Sequence, residues 1–189
     1  MNKLALVFPG IGYHNDKPLL YYGKKLAACF GYRIIEIRYG GFPYGVKGNS
    51  QLMRQVYESA LEQTEEMLKD EIITGEDQLL ILSKSVGTAV AAAWQNKHHF
   101  HAENIYFTPV EETFQFVSPG SGIVFHGTAD SWAETAAIKE LCDEYRLPLF
   151  ITENADHSME TGDVIDDLSI IKGIMEECRS YLDRLSSEI

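Results

Sequence analysis

Cationic residues, cysteine and long apolar runs are all scarce in this sequence. Only 16 of 189 residues are Lys or Arg against 28 Asp or Glu, a formal net charge of −12. So acidic a chain lacks the basic face that nucleic acid or an anionic membrane requires, and neither is expected as a partner. No stretch approaches the roughly 20 apolar residues of a spanning helix. The opening MNKLALVFPGIG has one lysine, a short apolar run and no small-residue cleavage site, so no secretory signal is expected. Cys29, Cys142 and Cys178 are odd in number and lack metal spacing. Each falls at an apolar position of a predicted helix, which implies reduced core thiols in a cytoplasmic protein. There is no P-loop, no paired zinc cysteines and no calcium loop. In KHHFH, His98, His99 and His101 have no carboxylate or cysteine at matching spacing, so a solvated turn is expected and no metal.

What is present is a regular alternation of short apolar runs and amphipathic segments. KLALVF (3–8), closed by Pro9-Gly10, reads as a buried parallel strand. Asp16 is the predicted N-cap of a helix whose face carries Leu19, Tyr22, Leu26 and Cys29 and whose C-cap is Gly31. YRIIEIRY (32–39) is the next strand, followed by the loop GGFPYGVKGN, which is too rich in glycine and proline for a helix. Ser50 opens a helix to about Asp70, with Leu52, Val56, Ala60, Met67 and Leu68 along its apolar stripe. Strands are predicted at 78–83, 104–110, 122–128 and 148–153, with a helix from Val86 to Asn96.

Ser131-Trp132-Ala133-Glu134 has capping-box spacing for a helix running to about Tyr145. A last helix places Val164, Leu168, Ile171, Met175, Cys178, Leu182 and Leu185 on one stripe. Such alternation predicts an α/β fold, a three-layer, doubly wound, mostly parallel sheet. With no linker or repeat, a single domain over 1–189 is expected. In that architecture the ligand site lies beyond the carboxyl ends of the strands.

Three strand ends carry chemistry. The run LLILSKSVGT passes from strand to helix through Ser85, with small Ser83 and Gly87 two residues to either side. A serine on so sharp a turn has its hydroxyl thrust above the sheet, and the following helix aims its amides at the same point. Ser83 stands where glycine is usual. Asp130 follows the strand GIVFHGT, and His157 follows PLFITE. Serine, acid and histidine in this chain order is the order used by α/β-hydrolases. Asp156 neighbours the histidine as a rival acid, and His126 is expected to pack behind the site. A Ser–Lys dyad with Lys84 is disfavoured, because adjacent side chains on a tight elbow diverge. A dinucleotide site at Gly10-Ile11-Gly12 is disfavoured because Asn15 stands where the third glycine belongs.

FPGIGY after the first strand, SKSVGT at the elbow and HGTAD with NADHSME together resemble the α/β-hydrolase superfamily. The resemblance spans roughly residues 3 to 185 and is to a small, lidless, esterase-like member beginning at what is usually the third strand. It implies a nucleophile Ser85, a base His157 and an orienting acid Asp130. It also implies an oxyanion hole from the amides of Val86 and Ile11, with Pro9-Gly10-Ile11-Gly12 in place of the common His-Gly-x-Gly. The linker 111–121 is too short for a helical cap, so an open site is expected. Tyr13, Phe42, Tyr44 and Thr108 are the expected substrate contacts, with Tyr39, His14 and Arg38 as further candidates. The expected partner is a small-molecule ester or acyl substrate, with no cofactor. A binding or signalling protein on the same fold and an acyltransferase remain as alternatives, and no oligomeric state is specified.

Overall fold

The computed structural model describes residues 2–71, 73 and 78–187. Six strands form one sheet: β1 (Lys3–Phe8), β2 (Arg33–Glu36), β3 (Gln78–Lys84), β4 (Glu103–Phe107), β5 (Gly122–Gly127) and β6 (Leu149–Thr152). All are parallel, in the order β2-β1-β3-β4-β5-β6. The helices are α1 (Pro18–Cys29), α2 (Ser50–Leu68), α3 (Val86–His98), α4 (Thr135–Glu144) and α5 (Val164–Ser187). The apolar runs alternate between two cores, because successive strand side chains point to opposite faces. Ala5, Val7, Leu80 and Leu82 meet Leu19 and Leu20 of α1 and Cys178 and Leu182 of α5. Leu4, Leu6, Phe8 and Ile81 meet Ala60 of α2 and Val90, Ala91 and Trp94 of α3. Tyr106 and Val124 meet Ile138 and Cys142 of α4.

This topology fixes where a ligand can sit. From β1 the chain winds outward to β2, then returns to lay β3 on the other side of β1. The loops after β1 and β3 therefore leave in opposite directions and open a crevice between them. The small residues of α3 allow that helix to press into the crevice. A Cβ at Gly87 would stand 2.3 Å from the carbonyl oxygen of Pro9, a contact no larger residue tolerates.

Several local expectations are corrected. Asp16 does not cap α1; the cap is Lys17 with Pro18 in the first turn, and Asp16 pairs instead with Lys24 at 3.1 Å. Gly31, at φ +86°, does end that helix, with the Tyr32 amide bonded back to Ala27. Ser50 does open α2, and Asn49 before it caps the helix through its side chain on the Leu52 amide. Met67 leaves the stripe and is exposed, its sulfur accepting the Arg38 amide. The capping box at Ser131 does not form. Asp130 bonds the Trp132 amide, and α4 starts only at Thr135. Strand β4 stops at Phe107 because Thr108 turns to φ +42°.

Cys29 is exposed, whereas Cys142 and Cys178 are buried as expected. In α5 the expected stripe is buried at Cys178 and Leu182, and partly buried at Ile171, Met175 and Leu185; Ile174 and Tyr181, outside it, are buried as well, whereas Val164 is 70% and Leu168 58% exposed. A helix of 24 residues is about 36 Å long at ~1.5 Å per residue, longer than strands of four to seven residues can cover. Its first turns have no sheet to lie on.

Candidate active site

Each of three loops delivers one side chain to a common point. Ser85 has φ +56° and ψ −131°, a strained backbone for a residue with a Cβ. The strain is held by hydrogen bonds on both sides: its amide donates to Phe107 at 3.1 Å, and its carbonyl accepts the Thr88 amide and hydroxyl at 2.8 and 2.6 Å. Thr88 is tied in turn to Thr113 at 2.6 Å, in the short helical turn Glu111–Gln115 formed by the linker segment. A Cβ at Gly10 would lie 3.1 Å from that of Ser85, so the loop after β1 passes directly beside the serine.

The loops after β5 and β6 meet in the same manner. A Cβ at Gly127 would be 2.2 Å from the carbonyl oxygen of Ala155, and the Ala129 amide donates to that oxygen at 2.9 Å. Asp130 and His157 are thereby brought together. Asp130 Oδ2 is 2.8 Å from His157 Nδ1, and His157 Nε2 is 2.7 Å from Ser85 Oγ. A carboxylate only accepts, so Nδ1 carries the proton, Nε2 is free to accept, and the serine hydroxyl donates. Asp130 Oδ1 is occupied by the Trp132 amide at 2.8 Å. The rival Asp156 is engaged elsewhere, its Oδ1 accepting the amides of Ser158 and Glu160.

The electrostatics suit proton transfer. Burial alone would push Asp130 up, but the hydrogen bond and charge of His157, the Trp132 amide and His126 hold its carboxyl below the usual value. His157 is lowered, chiefly by burial and further by the charge of Lys84, against the opposing pull of Asp130. His126 is also lowered by burial; it lies wholly inside, Nε2 on Thr135 Oγ1 at 3.1 Å and Nδ1 3.8 Å from Asp130. Val86 stands first in α3, where an amide has no intrahelical partner. No hydrogen bond to the Val86 or Ile11 amide is made among the described residues. The β1 loop is braced by the Gly10 amide on Tyr13 at 3.0 Å and by the Tyr39 hydroxyl on Pro9.

Tyr13, Phe42, Tyr44 and Thr108, the expected substrate contacts, do not border the groove beside Val86. Tyr13 is buried, its hydroxyl accepting the Leu19 amide at 3.1 Å. Phe42 packs on Tyr39, and Tyr44 is fully exposed. Thr108 has no exposed surface and bonds Lys84 and the His157 carbonyl. The groove beside Val86, about 810 Å³, is instead bordered by Met53, Tyr57, Ala89, Phe116 and Trp132. Trp132 stacks on the His157 ring, centroids 5.3 Å apart, and Lys47 Nζ lies 5.5 Å from the Trp132 ring centroid while donating to Ser131 at 2.6 Å. An aromatic two residues past the acid was the one available signal, and the capping-box reading obscured it. His98 of the histidine cluster bonds Glu65 and stacks on Phe100.

The chain has the α/β-hydrolase fold. It superimposes on a protein of unknown function and candidate α/β hydrolase from Agrobacterium tumefaciens with a TM-score of 0.67 at 18% identity, covering 99% of this chain and 87% of that one. A lidless α/β serine hydrolase from Xanthomonas campestris matches with a TM-score of 0.58 at 14% identity, over 92% and 81%. A thermophilic esterase from Thermogutta terrifontis with propionate bound matches with a TM-score of 0.63 at 16% identity, over 97% and 84%. No protein-family model matches the sequence, and no curated protein matches it significantly. Among the described residues no helix is long and apolar enough to cross a membrane.

Proposed function

We propose that this protein is a serine hydrolase that cleaves small carboxylic esters or thioesters through an acyl-enzyme on Ser85. The observation that carries this reading is the unbroken chain from Ser85 Oγ to His157 Nε2 at 2.7 Å and from His157 Nδ1 to Asp130 at 2.8 Å. His157 takes the serine proton as the hydroxyl attacks the carbonyl, and returns it to the leaving alcohol or thiol. Asp130 holds the tautomer and stabilises the imidazolium. The amides of Val86 and Ile11 receive the oxyanion, the first aided by the partial positive charge of the α3 N-terminus. Water then repeats the sequence on the acyl-enzyme. A fluorophosphonate probe is expected to label the wild type at Ser85 and to leave Ser85→Ala unlabelled; equal labelling of both would refute the assignment.

The imidazole works as a base only when neutral. Its folded-state pKa lies below the ordinary value of about 6.5, so kcat/KM should rise with pH through a midpoint under about 6.5 and stay level toward pH 8. A midpoint at or above that value would contradict the electrostatics described.

The groove supports this choice of substrate. The apolar part of its border, Met53, Tyr57, Ala89, Phe116 and Trp132, suits the hydrocarbon part of an acyl group, beside the polar Lys47, Arg54 and Glu112, and the propionate in the Thermogutta esterase is a small carboxylate of that kind. Ala89, one turn into α3 from the elbow, is 2% exposed and fronts the groove. Enlarging it shortens the space: Ala89→Phe is expected to lower the hexanoyl-to-acetyl ratio of kcat/KM by roughly 10-fold or more, the worth of about one methylene at such a site. An unchanged ratio across an acyl-length series would place the acyl chain elsewhere.

A further inference from the structure

The apolar layer beneath the site contains one cation. Lys84, between the two serines of the elbow, has no accessible surface and enters no ion pair among the described residues. Its Nζ donates to Thr108 Oγ1 at 2.5 Å and lies 5.0 Å over the Tyr13 ring. The Thr108 hydroxyl donates onward to the carbonyl oxygen of His157 at 3.1 Å. The direction of this chain is fixed by its far end: a carbonyl only accepts, so the Thr108 hydroxyl gives its one hydrogen to His157 and accepts from the lysine nitrogen, ammonium or amine. The Thr108 amide donates to Phe125 at 2.8 Å. A β-branched residue at φ +42° is strained, and strain of this kind persists where the surroundings hold it in place. Thr108 therefore links the ends of β3, β4 and β5 to the loop that carries the base.

A leucine or methionine would fill the volume of Lys84 without placing an amine in an apolar site. The polar nitrogen is what this position uses. We infer that Lys84 is a positioning residue for the base: through Thr108 it holds the His157 backbone where Nε2 meets Ser85 Oγ. It reaches no substrate atom and acts only through His157. The titratable and charged groups facing it are Tyr13 after β1, Lys17 ahead of α1, Asp130 after β5, and Asp156 and His157 after β6. Burial lowers the lysine to about 7, against the raising pull of Asp130 and Asp156. It is charged below that point, in the range where the imidazole titrates, and its charge pushes the imidazole pKa down.

Two readouts test this, and only the second depends on the hydrolase reading. By NMR titration, Lys84→Met should raise the His157 pKa by about half a unit or more, as removal of a nearby like charge requires. In turnover of a short-chain ester, Lys84→Met should lower kcat about 10-fold or more with KM nearly unchanged, since the loss is of geometry at the reacting atoms. Its acid limb should move to higher pH. Thr108→Val should lower kcat similarly, Thr108→Ser should restore it, and the Lys84→Met/Thr108→Val pair should cost little more than either alone. A wild-type imidazole titration in Lys84→Met, with kcat also unchanged, would reduce Lys84 to a packing residue. Should the wild type hydrolyse no ester, the hydrolase reading fails, while the NMR titration still decides the role of the lysine.

Discussion

Ser85→Ala is expected to reduce kcat for a small ester by about 10⁴-fold or more, with the protein still folded. The magnitude follows from losing the covalent route altogether while the unpaired amides at the α3 N-terminus still polarise a bound carbonyl. The change itself is sterically mild. It removes one oxygen, leaves the Cβ that already tolerates φ +56°, and keeps the backbone bonds to Phe107 and Thr88. Ser85, His157 and Asp130 form one hydrogen-bonded chain, so their losses should not add. His157→Ala should cost nearly as much as Ser85→Ala, and the double variant scarcely more. Asp130→Asn should cost somewhat less, because the asparagine amide imposes the wrong tautomer but keeps Nδ1 occupied. Independent, multiplying losses in the double variant would show that these residues do not act as a unit.

The second large effect is on stability and has the opposite sign. Lys84→Met should stabilise the fold by roughly 1–4 kcal/mol at pH 6, the range found when buried ion pairs give way to apolar residues of similar volume. Burial takes Lys84 from the ordinary lysine value of 10.5 to about 7. The folded state therefore binds fewer protons than the unfolded state between those two pH values, and the stability of the wild type rises with pH across that window. Below about 7 the penalty is complete, with an upper bound of about 5 kcal/mol at ~1.4 kcal/mol per pH unit. Denaturant titrations at pH 6 and 9 should show the advantage of Lys84→Met shrinking as pH rises. Taking the difference between variants removes contributions shared by both, such as that of Tyr13, which burial raises to about 12. An advantage independent of pH, or none, would mean the lysine is paired or hydrated. A variant more stable yet slower is the outcome that joins this prediction to the positioning role.

The parts of the site that were legible in the sequence are those whose signal is local. A serine flanked by small residues between an apolar strand and an alanine-rich helix announces its own turn, because the close approach of Gly87 to Pro9 admits nothing larger. The meeting of Asp130 and His157 was legible for a related reason: each stands in the loop after an apolar strand, and parallel strands deliver all their following loops to one edge of the sheet. The border of the groove was not legible. Tyr13 and Thr108 follow strands just as Asp130 does, yet a positive φ and a hydrogen bond to the Leu19 amide turn them inward. Lys84 was the clearest reversal. Adjacency to Ser85 argued against a dyad, and its nitrogen indeed bonds Thr108, but no pattern in the chain shows that a lysine will be wholly enclosed.

The sequence by itself determined the order of elements, their alternation and therefore the parallel layered architecture, because hydrophobic periodicity and glycine placement act over a few residues. Tertiary structure alone decided the strand order that opens the crevice between β1 and β3, the stacking of Trp132 on His157, and the border of the groove. It also decided the link from Lys84 through Thr108 to the base. These side-chain links join residues 24 to 49 positions apart, and contacts at such range are set by how whole layers pack, which no local pattern encodes.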